Sequence, residues 1–205
     1  MPSSLRELRC LHVQGREPVS ATYLADELNM EPIVVRKDLA SSGAVGTPRI
    51  GFNVKELIDA IEEFLGWKNT TDAFLVGVGS LGTALLGYEG FQEHGLKIVA
   101  AFDTDPEKVG TEVHGKPVLK LNRLPALARR MHVNMGVLTV PADAAQDVAN
   151  LMIEGDMHAI WNFTPTKLNV PAGVVTQSED LASGLAVLSV KLGHVLEERE
   201  TDLED

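Results

Sequence analysis

The six residues from 77 to 82 have the types and the spacing best suited to chemistry in this chain. They read Gly77-Val78-Gly79-Ser80-Leu81-Gly82, which matches the pattern G-x-G-x-x-G. In this pattern the first glycine permits a tight turn, the second lets the backbone approach a pyrophosphate, and the third lets a helix pack on a strand. A helix that starts there also offers unpaired N–H groups and a partial positive charge. The stretch predicts that a dinucleotide binds here through its pyrophosphate; the alternative is a glycine turn without a ligand.

The sequence on either side of the glycines favours the dinucleotide. A fully apolar strand is predicted at 73–76, directly before them, and a helix at 80–88, directly after them. Asp103 ends the next predicted strand, 21 positions after Gly82, where an acidic residue bonds the adenosine ribose. Its carboxylate would repel a 2′-phosphate. We therefore expect the cofactor to be NAD(H) and not NADP(H).

Buried strands alternate with helices over the rest of the chain after residue 72. Further apolar strands are predicted at 97–102, 135–140 and 158–163, and further helices at 121–131 and 142–154. This alternation predicts a doubly wound parallel sheet of the Rossmann type. One long helix is expected at 179–199, and its apolar residues need a surface to cover them.

The first 66 residues follow a different pattern. Short helices are predicted at 5–13, 21–29 and from 31 to about 42, and a two-stranded ribbon at 44–53. Three short helices followed by a ribbon predict a winged helix-turn-helix. An amphipathic helix at 54–65 leads to a polar break. We therefore expect three parts: a winged-helix domain at 1–66, a Rossmann domain at 72–178 and a C-terminal helix with an acidic tail at 179–205.

Composition narrows the possible functions. The chain has 205 residues and a net charge of −11, but residues 1–55 carry seven basic and six acidic side chains. The acidic remainder argues against general binding to nucleic acid, whereas a local basic element could still enter a groove. The polar N-terminus and the absence of a long apolar run predict a cytoplasmic protein without membrane contact. The single cysteine, Cys10, is expected to be a buried thiol.

Nothing in the sequence resembles a catalytic or metal site. The six histidines are scattered and form no ligand pattern. The Rossmann domain uses the residues after the boundary, so no separate substrate domain is expected. The cofactor is therefore interpreted as a signal, and the chain as a protein other than an enzyme.

The order of motifs resembles the redox-sensing transcriptional repressor Rex family over nearly the whole chain. The stretches that carry this resemblance are 35–39 (VRKDL), 77–85 (GVGSLGTAL), 102–110 (FDTDPEKVG), 138–141 (LTVP), 162–165 (NFTP) and 179–181 (EDL). The resemblance implies a homodimer whose C-terminal helices swap between subunits. It also implies binding to operator DNA when NADH is scarce, and release when NADH binds.

The resemblance also implies roles for individual residues at the DNA and at the interface. The third helix would enter the major groove with Arg36 and Lys37 facing the DNA, and Arg49 in the ribbon would contact a phosphate. Tyr88 would approach Asp180 of the partner subunit near the nicotinamide. Arg6 would pair with Asp180 in the alternative state, which makes this aspartate a bistable element.

The nicotinamide is expected next to the stretches at 138–141 and 162–165. Val140, Pro141 and Phe163 are suited to line an apolar pocket, and the resemblance places Asn162 beside them. The oxidised ring carries a positive charge that is costly to bury without a partner, so such a pocket would favour NADH.

Three interpretations remain at this point. The first is an NADH-responsive repressor, the second a Rex-like NAD(H)-binding protein that does not bind DNA, and the third a small NAD-dependent oxidoreductase. The second stays open because Val34, Ser42, Val45 and Arg49 differ from what is common in the family, whereas the Rossmann part keeps its motifs.

Overall fold

The chain folds into two compact units. The structure, a computed structural model, describes residues 2–47, 50–66 and 71–201. The first unit comprises residues 1–70 together with 90–96, and the second comprises 71–89 together with 97–205. The segment 90–96 thus groups with the first unit, and the C-terminal helix with the second; the three-part division stays a prediction.

The first unit contains four helices and a small sheet among its described residues. Its elements are α1 (Pro2–Val13), β1 (Pro18–Val19), α2 (Ala21–Glu27), α3 (Pro32–Ser41), β2 (Phe52–Asn53) and α4 (Val54–Phe64). The side chain of Ser20 caps α2 by accepting from the N–H of Tyr23, and Asn53 caps α4 in the same way. Pro32 begins α3, where its missing N–H costs nothing. All four helices contribute buried side chains to one core, including Leu8, Leu24, Val35, Leu39 and Ile61.

The predicted ribbon at 44–53 is wrong in its strand pairing. Strand β2 pairs with β1, with Val19 opposite Phe52 in antiparallel register, and only a single bridge joins Thr47 to Gly51 within the predicted segment. Gly51 has a φ of +103°, and a Cβ there would lie 2.4 Å from the carbonyl oxygen of Val19. Gly51 lets β2 pair with β1, which lies more than thirty residues earlier in the chain. A pattern within 44–53 could therefore not show the strand with which β2 pairs.

The expectation for Cys10 is also wrong. Its thiol is exposed, because the face of α1 that meets the core carries Leu5, Leu8 and Leu11. Helical spacing places Cys10 away from that stripe.

The second unit is built around a seven-stranded sheet. In chain order the elements from residue 71 onward are β3 (Thr71–Val76), α5 (Ser80–Leu86), a 3-10 helix (Glu89–His94) that groups mostly with the first unit, β4 (Leu96–Asp103), β5 (Glu112–Val113), β6 (Lys116–Lys120), a 3-10 turn (Leu121–Arg123), α6 (Leu124–Met131), β7 (Met135–Leu138), α7 (Ala145–Glu154), β8 (Ala159–Asn162), β9 (Val175–Ser178) and α8 (Leu181–Thr201). The strand order is β5-β6-β4-β3-β7-β8-β9. Strands β4 and β6, β3 and β7, β7 and β8, and β8 and β9 pair in parallel, whereas β5 and β6 are antiparallel.

The Rossmann-type fold predicted from the sequence is confirmed. Its central strands could be predicted because they are buried. Residues 73–76 in β3 are all fully buried, as strands with helices on both faces require. In the core, Phe74 meets Phe102 of β4 edge-on, with ring centroids 4.9 Å apart. Strands β5, β6 and β9 were not predicted. They lie toward the edges of the sheet, and β9 is exposed along its whole length, so no apolar run marks it.

Helix α8 leaves most of its described apolar side chains uncovered. The exposed ones are Leu185, Val187, Leu188, Val190 and Leu192. Asp180 starts the helix by accepting a hydrogen bond from the N–H of Ala182, 2.9 Å away. No helix in the described ranges is long and apolar enough to cross a membrane.

Candidate dinucleotide site and DNA-contact helix

The glycine turn lies where the strand order of the sheet reverses. From β3 the chain builds outward through β4 to β6, then crosses back to β7 on the other side of β3. In doubly wound sheets the ligand crevice lies at this switch point, beyond the carboxyl ends of the strands. Val76, the last residue of β3, stands opposite Leu138 at the end of β7. The turn at 77–82 and the segment at 139–141 therefore leave the sheet side by side.

The three glycines of the turn are needed for different reasons. Gly77 has a φ of +99°, and a Cβ there would lie 2.6 Å from the carbonyl oxygen of Thr139. A Cβ on Gly82 would lie 2.0 Å from the carbonyl oxygen of Gly77, so α5 packs on the turn only without one. A Cβ on Gly79 would meet no atom within 4 Å. Space is thus kept at Gly79, at the position where the pattern places the pyrophosphate.

Thr139 fastens the turn to β7, a role that sequence reasoning missed. Its hydroxyl lies 2.9 Å from the carbonyl oxygen of Val76 and 2.8 Å from that of Gly77. Its backbone N–H also donates to Val76. A hydroxyl residue directly after a buried strand is the available signal, but only the sheet order shows that this strand lies beside the glycines.

Asp103 lies at the end of β4 and binds the turn directly. Its Oδ2 accepts a hydrogen bond of 2.7 Å from the N–H of Val78, and its Oδ1 accepts one of 2.9 Å from the N–H of Asp105. Burial of the carboxyl acts to raise its pKa, but the hydrogen bonds from Asp105 and Val78 act in the opposite direction. The charge of Lys108 adds to them, and the net result is a pKa below the ordinary value. The side chain is therefore an anion at neutral pH.

Lys108 is a second residue that sequence reasoning missed. Its Nζ lies 3.6 Å from Oδ2 of Asp103 and 3.4 Å from Oδ2 of Asp105. The lysine side chain is 40% exposed, whereas that of Asp103 is 11% exposed. A partly exposed cation thus lies next to the carboxylate that is expected to bind the ribose. Lys108 lies three residues after Asp105 in a tight turn. A tight turn has no strand or helix period, so the sequence pattern did not indicate this position.

The residues expected around the nicotinamide follow the next two strands. Val140 lies against Gly77, since a Cβ on that glycine would come within 2.9 Å of its Cγ1. Phe163 follows β8 and is partly buried; its ring lies 4.8 Å from that of Trp161 between centroids. Pro141 is exposed. The backbone N–H of Phe163 donates to Leu138, so the loops after β7 and β8 begin side by side.

Asn162 is fully buried, and its side chain is engaged within the protein. Its Oδ1 accepts from both the N–H and the hydroxyl of Thr164, and its Nδ2 donates to the carbonyl oxygen of Thr166 at 2.9 Å. These bonds fold the segment after β8 into a fixed turn. A role of Asn162 toward a cofactor stays a prediction.

The third helix presents the predicted cations on its open face. Arg36 and Lys37 are exposed on α3, while Val35 and Leu39 anchor the helix in the core. Arg49 lies outside the described residues, so its predicted phosphate contact stays a prediction.

The three residues of the predicted switch fall in different units. Arg6 is exposed on α1 of the first unit, whereas Tyr88 and Asp180 belong to the second. Tyr88 follows α5 and is 57% exposed. One carboxylate oxygen of Asp180 is used at the start of α8. The pairing of Asp180 with Tyr88 or with Arg6 stays a prediction. In the described part of the chain, no group of three His, Cys, Asp or Glu side chains is arranged to hold a metal ion.

The winged helix and the Rossmann sheet together define a class of protein that joins a DNA-binding fold to a nucleotide-binding fold. A family model described as a CoA binding domain matches residues 68–166. The redox-sensing transcriptional repressor Rex of Treponema denticola is 47% identical over 94% of this chain and 91% of its own length. The repressor of the same name from Porphyromonas gingivalis is 41% identical over 92% of this chain and 86% of its own length.

Solved structures agree with these relatives. The crystal structure of RSP with β-NAD⁺ and operator DNA has a TM-score of 0.88 and 27% identity, covering 98% of this chain and 93% of that one. The structure of RSP with β-NADH has a TM-score of 0.87 and covers 97% and 93%. RSP is described as a Rex-family repressor. The present chain belongs to the Rex family of redox-sensing transcriptional repressors, as the order of its motifs predicted.

Proposed function

We propose that this chain is an NADH-responsive transcriptional repressor. It binds operator DNA as a homodimer when NADH is low, and NADH releases it. The observation that carries the proposal is the glycine turn itself: Gly79 keeps open space at the switch point, and Asp103 stands beside it as an anion. The relatives supply the regulatory context, since their names describe redox sensing and repression.

The residues at the switch point fit NAD(H). The open position at Gly79 accommodates a pyrophosphate, and the carboxylate of Asp103 can accept bonds from ribose hydroxyls. Val78, Ser80 and Leu81 complete the turn around the phosphates. The redox signal would be the charge of the bound nicotinamide ring, which is positive in the oxidised form and absent in the reduced form.

Discrimination between the two redox forms follows from the apolar side of the site. Val140, Pro141 and Phe163 offer no anion to pair with an oxidised ring, so burial there costs the oxidised form more. A difference of about 3 kcal/mol corresponds to roughly a hundredfold preference for NADH. This preference sets which redox form occupies the site, and release also requires that NADH bind the DNA-free state more tightly than the DNA-bound state.

DNA contact is proposed for α3. Arg36 and Lys37 project from its open face, and cationic side chains at such positions bond base edges or phosphates. Arg49 is proposed as an additional phosphate contact. RSP, a Rex-family repressor crystallised with operator DNA, supports DNA binding by the present chain.

The dimer is proposed to form through α8. A single chain leaves at least five large apolar side chains of this helix in solvent, and a second copy would cover them. In the swapped arrangement, Tyr88 would pair with Asp180 of the partner subunit. In the DNA-bound state, Arg6 would pair with that aspartate instead. We also propose that the protein acts as a regulator and not as an enzyme, and that it acts in the cytoplasm.

An electrophoretic shift assay tests the proposal. The full chain is mixed with a panel of random duplexes at one stated salt concentration, because phosphate contacts make affinity salt-dependent. The assay is run with NAD⁺ and then with NADH. Retention of one family of sequences with NAD⁺, lost with NADH, is the expected result. Binding of NADH without selective retention would instead favour the Rex-like protein that does not bind DNA, and turnover of an alcohol or hydroxy acid would favour the oxidoreductase.

A further inference from the structure

The open face of α3 carries more than its two cations. Ile33 is 74% exposed and Val34 is 43% exposed, at the first turn of the helix. Val35 and Leu39, by contrast, are buried in the core. Binding to phosphates requires none of this apolar surface. A helix that displays branched aliphatic side chains to solvent gains free energy only when something covers them.

The apolar residues and the cations share one face. Residues three and four apart are neighbours on a helix, so Ile33 lies beside both Arg36 and Lys37, and Val34 lies beside Lys37. Pro32 opens the helix, which puts the aliphatic pair at the N-terminal end. This is the part of a recognition helix that approaches base edges in winged-helix and related DNA-binding motifs.

A second copy of the chain is a poor occupant of this face. Two such faces brought together would oppose Arg36 and Lys37 with the same cations, and like charges across an interface cost free energy. A polyanion with apolar groups of its own satisfies both features. In the major groove, the one apolar group among the base edges is the C5-methyl of thymine.

We propose that Ile33 and Val34 read thymine methyl groups in the operator, while Arg36 and Lys37 supply charge and hydrogen bonds. This inference rests on the proposed function and assigns part of its sequence preference to the aliphatic pair. Each half-site then holds at least one thymine at a position that α3 approaches with its first turn. The pair discriminates against cytosine, which offers an N4 amino donor and no methyl group at the same edge.

Replacing thymine by deoxyuridine tests this inference, because the change removes only the methyl group. A duplex retained by the wild-type chain with NAD⁺ is made with each thymine replaced in turn, and dissociation constants are measured at one salt concentration. Wild-type protein should lose about fourfold in affinity at one or more positions, which corresponds to one buried methyl group. Ile33→Ala or Val34→Ala should abolish the additional loss at the position that it contacts.

Val13→Ala is the matched control. Val13 is also an aliphatic residue of the first unit with its side chain in solvent, but it lies at the end of α1. This variant should keep the full sensitivity to deoxyuridine. All three truncations replace exposed side chains by a stronger helix former, so circular dichroism should show folded protein.

Two results overturn the inference, and they are distinguishable. If a duplex is retained but every deoxyuridine duplex binds equally well, or if the loss persists unchanged in both α3 variants, the reading of methyl groups is wrong and the repressor stands. If no duplex is selectively retained under any condition while NADH binds, the proposed function itself fails, and the inference fails with it.

Discussion

At the scale of single residues, two glycines of the turn have different roles, one in folding and the other in ligand binding. Gly82 has backbone atoms where a Cβ would be, whereas Gly79 has open space. Neither residue has a positive φ, so an alanine at Gly79 adds no backbone strain. The two positions therefore distinguish a glycine that the fold requires from one that only the ligand requires.

Gly79→Ala should weaken NADH binding without destabilising the protein. A methyl group in the space of the pyrophosphate costs about 1–3 kcal/mol of overpacking, or roughly 5- to 150-fold in affinity. NADH titration and thermal unfolding of the unliganded chain measure the two effects. Gly82→Ala is the contrasting variant and should lower the melting temperature itself. Equal loss of stability in both variants would contradict this assignment.

Lys108 adds a second prediction at the residue scale, on the choice between NADH and NADPH. Asp103→Ser removes the anion that opposes a 2′-phosphate and leaves the Lys108 cation in place, so affinity for NADPH relative to NADH should rise. Asp103→Ser combined with Lys108→Gln should lose that gain, because the cation that pairs with the phosphate is gone. Fluorescence titration with both cofactors measures the ratios. An unchanged ratio in Asp103→Ser would remove the pair from cofactor selection.

At the scale of elements, α3 is the part to which DNA affinity is assigned. Arg36→Gln together with Lys37→Gln should reduce operator affinity by about a hundredfold, at about 1–3 kcal/mol for each base contact, and leave NADH affinity unchanged. For each phosphate that the variant no longer neutralises, the slope of log affinity against log salt should also become shallower by about 0.9.

Lys55→Gln together with Lys120→Gln is the matched control for this prediction. Both lysines are exposed and lie outside α3, so the control removes the same charge. Operator affinity that survives in the α3 variant, or falls equally in the control, would show that α3 is not the recognition element.

The elements also show what sequence patterns can and cannot predict. The buried strands β3 and β4 were predicted because an apolar run records burial on both faces. The pairing of β1 with β2 was not predicted, because it joins residues far apart in the chain. Likewise, the glycines and Asp103 follow a local spacing rule, whereas Thr139 reaches the turn only through the sheet order. Residues that follow a local spacing rule can be predicted from the sequence, whereas contacts that depend on the order of strands in the sheet cannot.

At the scale of the whole molecule, the exposed face of α8 predicts assembly. Leu185, Leu188 and Leu192 lie three and four positions apart and form one stripe. Leu188→Asp would place a charge within that stripe, so the variant should shift from dimer to monomer in sedimentation equilibrium at micromolar concentration. Val13→Asp, an exposed aliphatic residue outside α8, is the control. A variant of α8 that stays dimeric would place the interface elsewhere.

The contact between Trp161 and Phe163 gives the protein an optical property. The indole N–H of Trp161 donates to Glu179 at 3.0 Å, and its ring lies against that of Phe163, a proposed neighbour of the nicotinamide. Tryptophan emits at wavelengths that a reduced nicotinamide absorbs and an oxidised one does not. The emission of Trp161 should therefore be quenched by energy transfer to NADH and far less by NAD⁺. Trp67→Phe removes the other tryptophan, which lies outside the described residues, so the chain could then report the redox state of its own ligand without an added dye.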